Sequence, residues 1–345
     1  MGGGGSHART PRNAPAPALS WTHPGVDEAI EQAKALIAGS RTALVVSHES
    51  PDGDAIGSSL AMGLALEAVG LSVTYFNVDP LPANLRFMDT HGRYVRTLPE
   101  EARFDLTVVL DCSERHRVGK QFPAQGWSER LLVVDHHVTF DPDFAKVFVH
   151  DPLAPATAEL VYRIVSALGV ELTPELARAL WVGIATDTGS FRYQSTSAEA
   201  MELGMRLLAT QMDVWEVSSH VYESQAIERT RLLARVLDTL WVAPGGRLAV
   251  LTLTDALLEE LGCDASLADG FINHARSIEG VEVAAMLTGS ESRGYKVSFR
   301  SRGRVDVSAL AQELGGGGHK HAAGCFRDEK AAEIRARLVA LTEQL

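Results

Sequence analysis

The chain has 345 residues, enough at roughly 150 residues per domain for about two domains with real apolar cores. Its three cysteines, Cys112, Cys263 and Cys325, lie far apart, which excludes a disulfide framework or a thiolate zinc site and fits a reducing cytoplasm; no apolar run reaches the ~18 to 20 residues of a membrane span. The formal charge of −12 argues against coating of duplex DNA.

Residues 1–20 are Gly, Pro, Ala and polar, with the linker-like GGGGS at 2–6, and are read as a disordered tail or expression remnant outside the fold. From Val26 to Ile37 apolar positions recur at helical spacing and stop at Gly39. Short apolar, β-branched runs at 42–47, 73–78, 106–110, 131–134 and 147–149 read as strands, alternating with helical patterns at 55–69, 157–168, 174–185 and 198–209. Near-continuous apolar strands are covered on both faces, so this part, residues 21–220, is expected to be an α/β domain with a doubly wound, mostly parallel sheet. A helical stretch over 214–240, ending at Arg229 to Leu240, supplies the linker at 221–240. A smaller α/β domain follows over 241–345: a hairpin turning at Pro244-Gly245-Gly246, helices near 255–261 and 267–278, strands near 281–288 and 294–300, and helices near 306–314 and 329–343. A cleft between the two domains is expected.

Acids and histidines concentrate where strands end. The first strand runs into HESPDGDAIGS with His48, Asp52 and Asp54; the strand at 106–110 ends at Asp111; the strand at 131–134 ends at Asp135-His136-His137; and the apolar stretch 180–185 ends at Asp187. In an open parallel sheet ligands bind outside the carboxyl ends of the strands, so the first three segments should meet at one crevice. Each piece has a bland counterpart: Asp after a strand forms turns or caps helices, as Asp54 could, and a single His is commonly satisfied structure. Those alternatives would have to hold together at every position. Adjacent His136 and His137 point apart along extended chain, so one serves as a ligand and the other elsewhere. Imidazole and carboxylate without thiolate suit Mn²⁺ and related divalent ions. Four Asp and two His are too many for one ion, whereas two ions ~3.5 to 4 Å apart sharing a carboxylate are the usual apparatus of phosphoester hydrolysis.

A second motif, GGGGHKHAAG at 315–324, follows an amphipathic segment at 305–314. Glycines let backbone N–H groups approach an anion, against the plainer alternative of a flexible turn. The neighbouring stretch 292–305 carries Arg293, Lys296, Arg300, Arg302 and Arg304 and no acid, a local reversal of sign that suggests a phosphate-binding edge.

HESPDGDAIGS, LDCS, VVDHH and GIATDTGSF occur in this order, and together they resemble the DHH phosphoesterase family, named for the triplet seen here at Asp135, His136 and His137. The stretch SFRSRGRVDVSALAQELGGGGHKHAAG resembles the DHH-associated C-terminal domain. The resemblance covers residues of about 40–325 and implies that His48, Asp52 and Asp111 hold one Mn²⁺ and Asp54, Asp111, His136 and Asp187 a second, with Mg²⁺ or Co²⁺ as substitutes. It implies that Asp111 bridges the ions, that His137 faces the substrate phosphate, and that Asp135 orients the histidines. It further implies nucleotide contacts from Ser298, Arg300, His319 and Gly316, Gly317 and Gly318 of the glycine run. Arg192 is an additional candidate contact, its plainer reading being a surface salt bridge.

One metal domain, one linker and this small domain, with nothing added, are similar to the family's nano-RNase group. That likeness implies a cytoplasmic enzyme, possible as a homodimer, that hydrolyses single-stranded RNA of about two to five nucleotides and 3′-phosphoadenosine 5′-phosphate (pAp) at P–O3′. Linear or cyclic dinucleotides are the alternative substrates, and a non-catalytic nucleotide sensor is the alternative of another class. The charge divides accordingly: residues 21–225 carry −13 and residues 226–345 carry −1. Bound cations would offset much of the first, so the acidity argues for short nucleotides.

Overall fold

Strands that bury both faces and connections that return to the same edge build one parallel sheet in the first part of the chain. The computed structural model describes residues 24–120, 122 and 127–343; the expected tail at 1–20 lies outside the described residues. The chain divides into two units, Met1–Ser224 and Gln225–Leu345.

The first unit runs α1 (Pro24–Ala38), β1 (Thr42–Ser47), α2 (Gly53–Ala68), β2 (Ser72–Phe76), β3 (Tyr94–Val95), β4 (Leu106–Leu110), β5 (Leu131–Asp135), β6 (Val147–His150), α3 (Thr157–Ala167), α4 (Pro174–Asp187), α5 (Ala198–Ala209) and α6 (Val214–Ser218). Its six strands are all parallel in the order β3-β2-β1-β4-β5-β6. The order reverses between β1 and β4, the switch point where a crevice opens at the carboxyl ends. Alternate strand residues serve two cores. Ala43, Val45, Val108 and Val134 pack under the helices, while Leu44, Val46, Val109 and Val133 pack under Phe122, Trp127 and Phe144. The second face is therefore covered by irregular chain where the sequence pattern suggested helices on both.

The second unit runs α7 (Ile227–Leu237), β7 (Trp241–Val242), β8 (Leu248–Thr254), α8 (Asp255–Leu261), α9 (Ile272–Arg276), β9 (Val283–Ser290), β10 (Gly294–Ser301), α10 (Val307–Glu313), β11 (Gly317–His319), β12 (Ala322–Arg327) and α11 (Ala331–Thr342). Its sheet is mixed, ordered β11-β12-β10-β9-β8-β7, with β8 and β9 the parallel pair. Helices cover both faces: Leu310, Leu314 and Leu338 on one, Leu232, Leu257 and Ile272 on the other.

Two local expectations change. The helical stretch over 214–240 is broken after a π-helical turn at Ser219–Glu223, and α7 packs Leu232 and Val236 into the second unit's core. The glycine run is not a loop throughout, because Gly317, Gly318 and His319 pair with Gly324, Ala323 and Ala322 as an edge strand. A Cβ on Gly318, at φ +141°, would lie 2.5 Å from Ala323 Cα, so close strand approach explains this glycine without a ligand.

No described helix is long and apolar enough to cross a membrane.

Candidate metal centre

Five acids and three histidines meet at the carboxyl end of the first unit's sheet. His48 follows β1, Asp111 follows β4, Asp135 ends β5, and His136 and His137 follow it. Asp52 is the N-cap of α2, accepting from the N–H groups of Asp54 and Ala55 at 3.1 Å, so Asp54 is turned inward from the helix's first turn and does not cap it. Asp187 arrives from a different direction, as the last residue of α4. Two glycines allow that arrival. A Cβ on Gly57 of α2 would sit 2.5 Å from Ala179 O of α4, and one on Gly183 of α4 would sit 2.6 Å from Asp54 Oδ1. The helices thus approach closely enough to set Asp187 beside Asp54.

The ligand-type atoms form three overlapping groups, each within 4.8 Å: His48, Asp52 and Asp111; Asp54, His136 and Asp187; and Asp111, His136 and His137. Asp111 faces both sides. Its Oδ2 lies 3.4 Å from His48 Nε2, and its Oδ1 lies 3.7 Å from His136 Nε2. His136 Nε2 is also 3.1 Å from Asp187 Oδ2 and 3.9 Å from Asp54 Oδ2. Asp111 takes φ +56°, a backbone conformation costly for a residue with a side chain and found where surrounding structure enforces it.

The donor chemistry fits a divalent cation. Nδ1 of His48 lies 2.8 Å from Glu49 O and Nδ1 of His136 lies 3.1 Å from Ala154 O, so in each ring Nδ1 carries the proton and Nε2 is the nitrogen aimed at carboxylate oxygens. A cation with ligand bonds of ~2.1 Å spans ligand atoms about 3 Å apart, close to these separations. Among the described residues, the ion-pair partners of these acids are histidines and never Lys or Arg. The electrostatics of the side chains point the same way. Burial, then the charges of Asp111 and Asp187, push the Asp54 carboxyl well above its ordinary range. Burial works against the charged form of Asp111, but contact with His48 and the nearby His136 and His137 hold its carboxyl down to about 2. Burial likewise opposes the cation of His136, yet Asp187, Asp54 and Asp111 push it up to about 10. A site of carboxylates that draws protons this strongly onto imidazole is one that divalent cations would neutralise.

Asp135 has a different place. It is fully buried, and its Oδ1 accepts from the N–H groups of His136 and His137 and from His137 Nδ1 at 2.7 Å. His137 is partly exposed, at 31% of its side chain.

The remaining candidates belong to other segments. Arg192 is exposed, and its Nε donates to Gly189 O at 2.5 Å within its own turn. On β10, Lys296, Ser298 and Arg300 share one face by strand alternation, while Val297 and Phe299 enter the core. Arg300 is half-buried and donates to Phe299 O; burial, with Arg276 nearby, lowers its affinity for a proton. Arg293 is not part of that face, since it pairs with Asp255 at 2.7 Å. Of the glycines, Gly316 and Gly318 would clash with β12 if they carried a Cβ, and Gly317 faces open space. The side chain of His319 lies outside the described residues.

Sequence reading missed the outer contacts. Ser58 Oγ and the N–H groups of Thr157 and Ala158 donate to Asp54, Thr157 Oγ1 donates to Asp111, and Asn77 Nδ2 donates to His48 O. A usable signal existed: α3 starts just beyond the carboxyl end of β6, at the same edge as the candidate ligands.

Residues 42–184 match the DHH family, N-terminal domain, and residues 245–344 match the DHHA1 domain. The chain is 38% identical over 283 residues to the bifunctional oligoribonuclease and PAP phosphatase NrnA of Thermus thermophilus, covering 81% of this chain and 82% of that protein. It is 25% identical over 308 residues to the protein of the same name from Bacillus subtilis, covering 88% and 95%. The crystal structure of an exopolyphosphatase-related protein from Bacteroides fragilis matches with a TM-score of 0.83 at 26% identity, covering 92% of this chain and 96% of that one.

Proposed function

We propose that this chain, which belongs to the DHH phosphoesterase family, hydrolyses the P–O3′ bond of RNA of about two to five nucleotides and of pAp, releasing nucleoside 5′-monophosphates. Its character as a metal-dependent hydrolase follows from the family; the substrates are our reading, supported by the names of its relatives. One observation carries the chemistry: two histidines with Nδ1 committed to backbone carbonyls turn Nε2 toward opposite sides of the single carboxylate of Asp111.

In this reading His48, Asp52 and Asp111 hold one cation, and Asp54, Asp111, His136 and Asp187 a second. Two Mn²⁺, or Mg²⁺ or Co²⁺ in their stead, would supply a hydroxide nucleophile near neutral pH and offset charge on the phosphoryl oxygens. Asp135 holds His137 by Nδ1, which leaves Nε2 to donate to a phosphoryl oxygen or to the departing O3′. Ser298, Arg300, His319 and Gly317 would bind the nucleotide's phosphate and sugar, with Arg192 a further contact. Gly316 and Gly318 shape the strand that carries Gly317. Because both pAp and an RNA dinucleotide break at P–O3′, one set of groups serves both.

The test is turnover by the purified protein with Mn²⁺ on 5′-labelled RNAs of two to about twenty nucleotides and on pAp. We expect the shortest RNAs and pAp to be consumed fastest and the chelated protein to be inert. Faster turnover of the long RNAs overturns the proposal, and equal rates on cyclic and linear dinucleotides shift it to a cyclic dinucleotide phosphodiesterase.

A further inference from the structure

The start of α3 makes several hydrogen bonds to the candidate ligands of the metal centre. Ala154 O faces His136 Nδ1, and two residues later the helix begins without a side-chain cap of its own, Ala156 being the N-cap. First-turn N–H groups of a helix need acceptors from elsewhere. Here they use a carboxylate from α2: Thr157 N donates to Asp54 Oδ2 at 2.6 Å and Ala158 N to Asp54 Oδ1 at 3.0 Å. The Thr157 hydroxyl leaves its own helix and donates to Asp111 Oδ1 at 2.9 Å. Thr157 is fully buried, as is Asp54, and Asp111 is 2% exposed, so water has no access to replace that hydroxyl.

We propose that Thr157 is a positioning residue of the metal centre, fixing the spacing and lone-pair direction of Asp54 and Asp111 through its N–H and its hydroxyl. The two carboxylates come from different elements and repel each other. Thr157 bonds one oxygen of each, which sets their separation before any cation arrives and leaves Asp111 Oδ2 to face His48. Groups that orient metal ligands in this way affect affinity about 10- to 100-fold when removed. The inference rests on the metal-dependent reading of this site, and its first test needs no substrate.

Titration calorimetry with Mn²⁺ on the chelator-stripped full chain separates the two. Thr157→Val keeps the volume and the N–H but loses the hydroxyl; Thr157→Ser keeps the hydroxyl. We expect Thr157→Val to bind Mn²⁺ at least about tenfold more weakly and Thr157→Ser to stay within about threefold of the parent chain. At saturating Mn²⁺, Thr157→Val should lower kcat while leaving KM for pAp within about twofold. If Thr157→Val does not fold, Thr157→Ala against Thr157→Ser carries the same contrast. Parent-like Mn²⁺ affinity in the variant lacking the hydroxyl, even with a lowered melting temperature, overturns the positioning role while leaving the metal centre intact. A parent chain that binds no Mn²⁺ overturns both.

Discussion

The two units present their polar chemistry in opposite ways. In the first, Asp54, Asp111 and Asp135 are almost wholly buried, Asp54 and Asp111 accept from backbone N–H groups and hydroxyls, Asp135 Oδ1 accepts from backbone N–H groups and an imidazole, and a strained backbone at Asp111 is tolerated. In the second, Ser298 and Arg300 lie half-buried on a strand whose other face is core, and Lys296 is exposed. Burying like charges together is unfavourable, so the first arrangement favours uptake of positive charge, as a cation or a proton. A basic strand face in water needs no completion. The first unit is built for chemistry on a fixed geometry, and the second offers contacts that can bind without being rigid.

The largest effect should come from breaking what both halves of the metal centre share. Asp111→Asn keeps the shape but removes the charge facing His48 and His136, so turnover should fall at least about 10³-fold and Mn²⁺ binding should weaken at both positions. Retained turnover would dismiss the shared carboxylate. His137→Gln comes next: a loss of about 10²-fold in kcat with KM nearly constant is expected for a proton or hydrogen-bond donor, and Mn²⁺ affinity should hold. A change in KM alone would place His137 in ground-state binding instead.

Effects in the second unit should be smaller and of another kind. Arg300→Ala is expected to raise KM for pAp about tenfold, near 1.4 kcal/mol, with kcat and Mn²⁺ affinity unchanged; if kcat falls instead, the contrast between the units fails. Smallest of all is a pair of glycine changes read by thermal melting. Gly318→Ala meets β12 and should cost about 1–3 kcal/mol. Gly317→Ala faces open space and should stay within about 0.5 kcal/mol, while raising KM if nucleotide lies against it.

Much of the fold was legible along the chain because it is local. Periodicity located every strand of the first sheet except the two-residue β3 and placed α3, α4 and α5 closely; β12 went unread because its AAGCFR lies directly behind the glycine run. His48, Asp111 and His136 were legible for the same reason, since a residue just after a parallel strand must stand at its carboxyl end. Less local features were not. The break at 224–226 lies inside an unbroken helical pattern, and the irregular cover of the sheet's second face has no period to read.

The sequence by itself determined the candidate residues: the histidines and acids at the ends of strands and helices, and the reversal of charge beside the glycine run, are properties of composition and spacing. Only the tertiary structure decided how they meet. That Asp187 reaches Asp54 depends on two helices touching at Gly57 and Gly183, that Asp54 and Asp111 keep their spacing depends on Thr157, and that Gly318 is a glycine depends on its neighbour strand. Each is a contact between residues distant or out of pattern in the chain, set by close packing and by the need of buried polar atoms for partners, which no local period encodes.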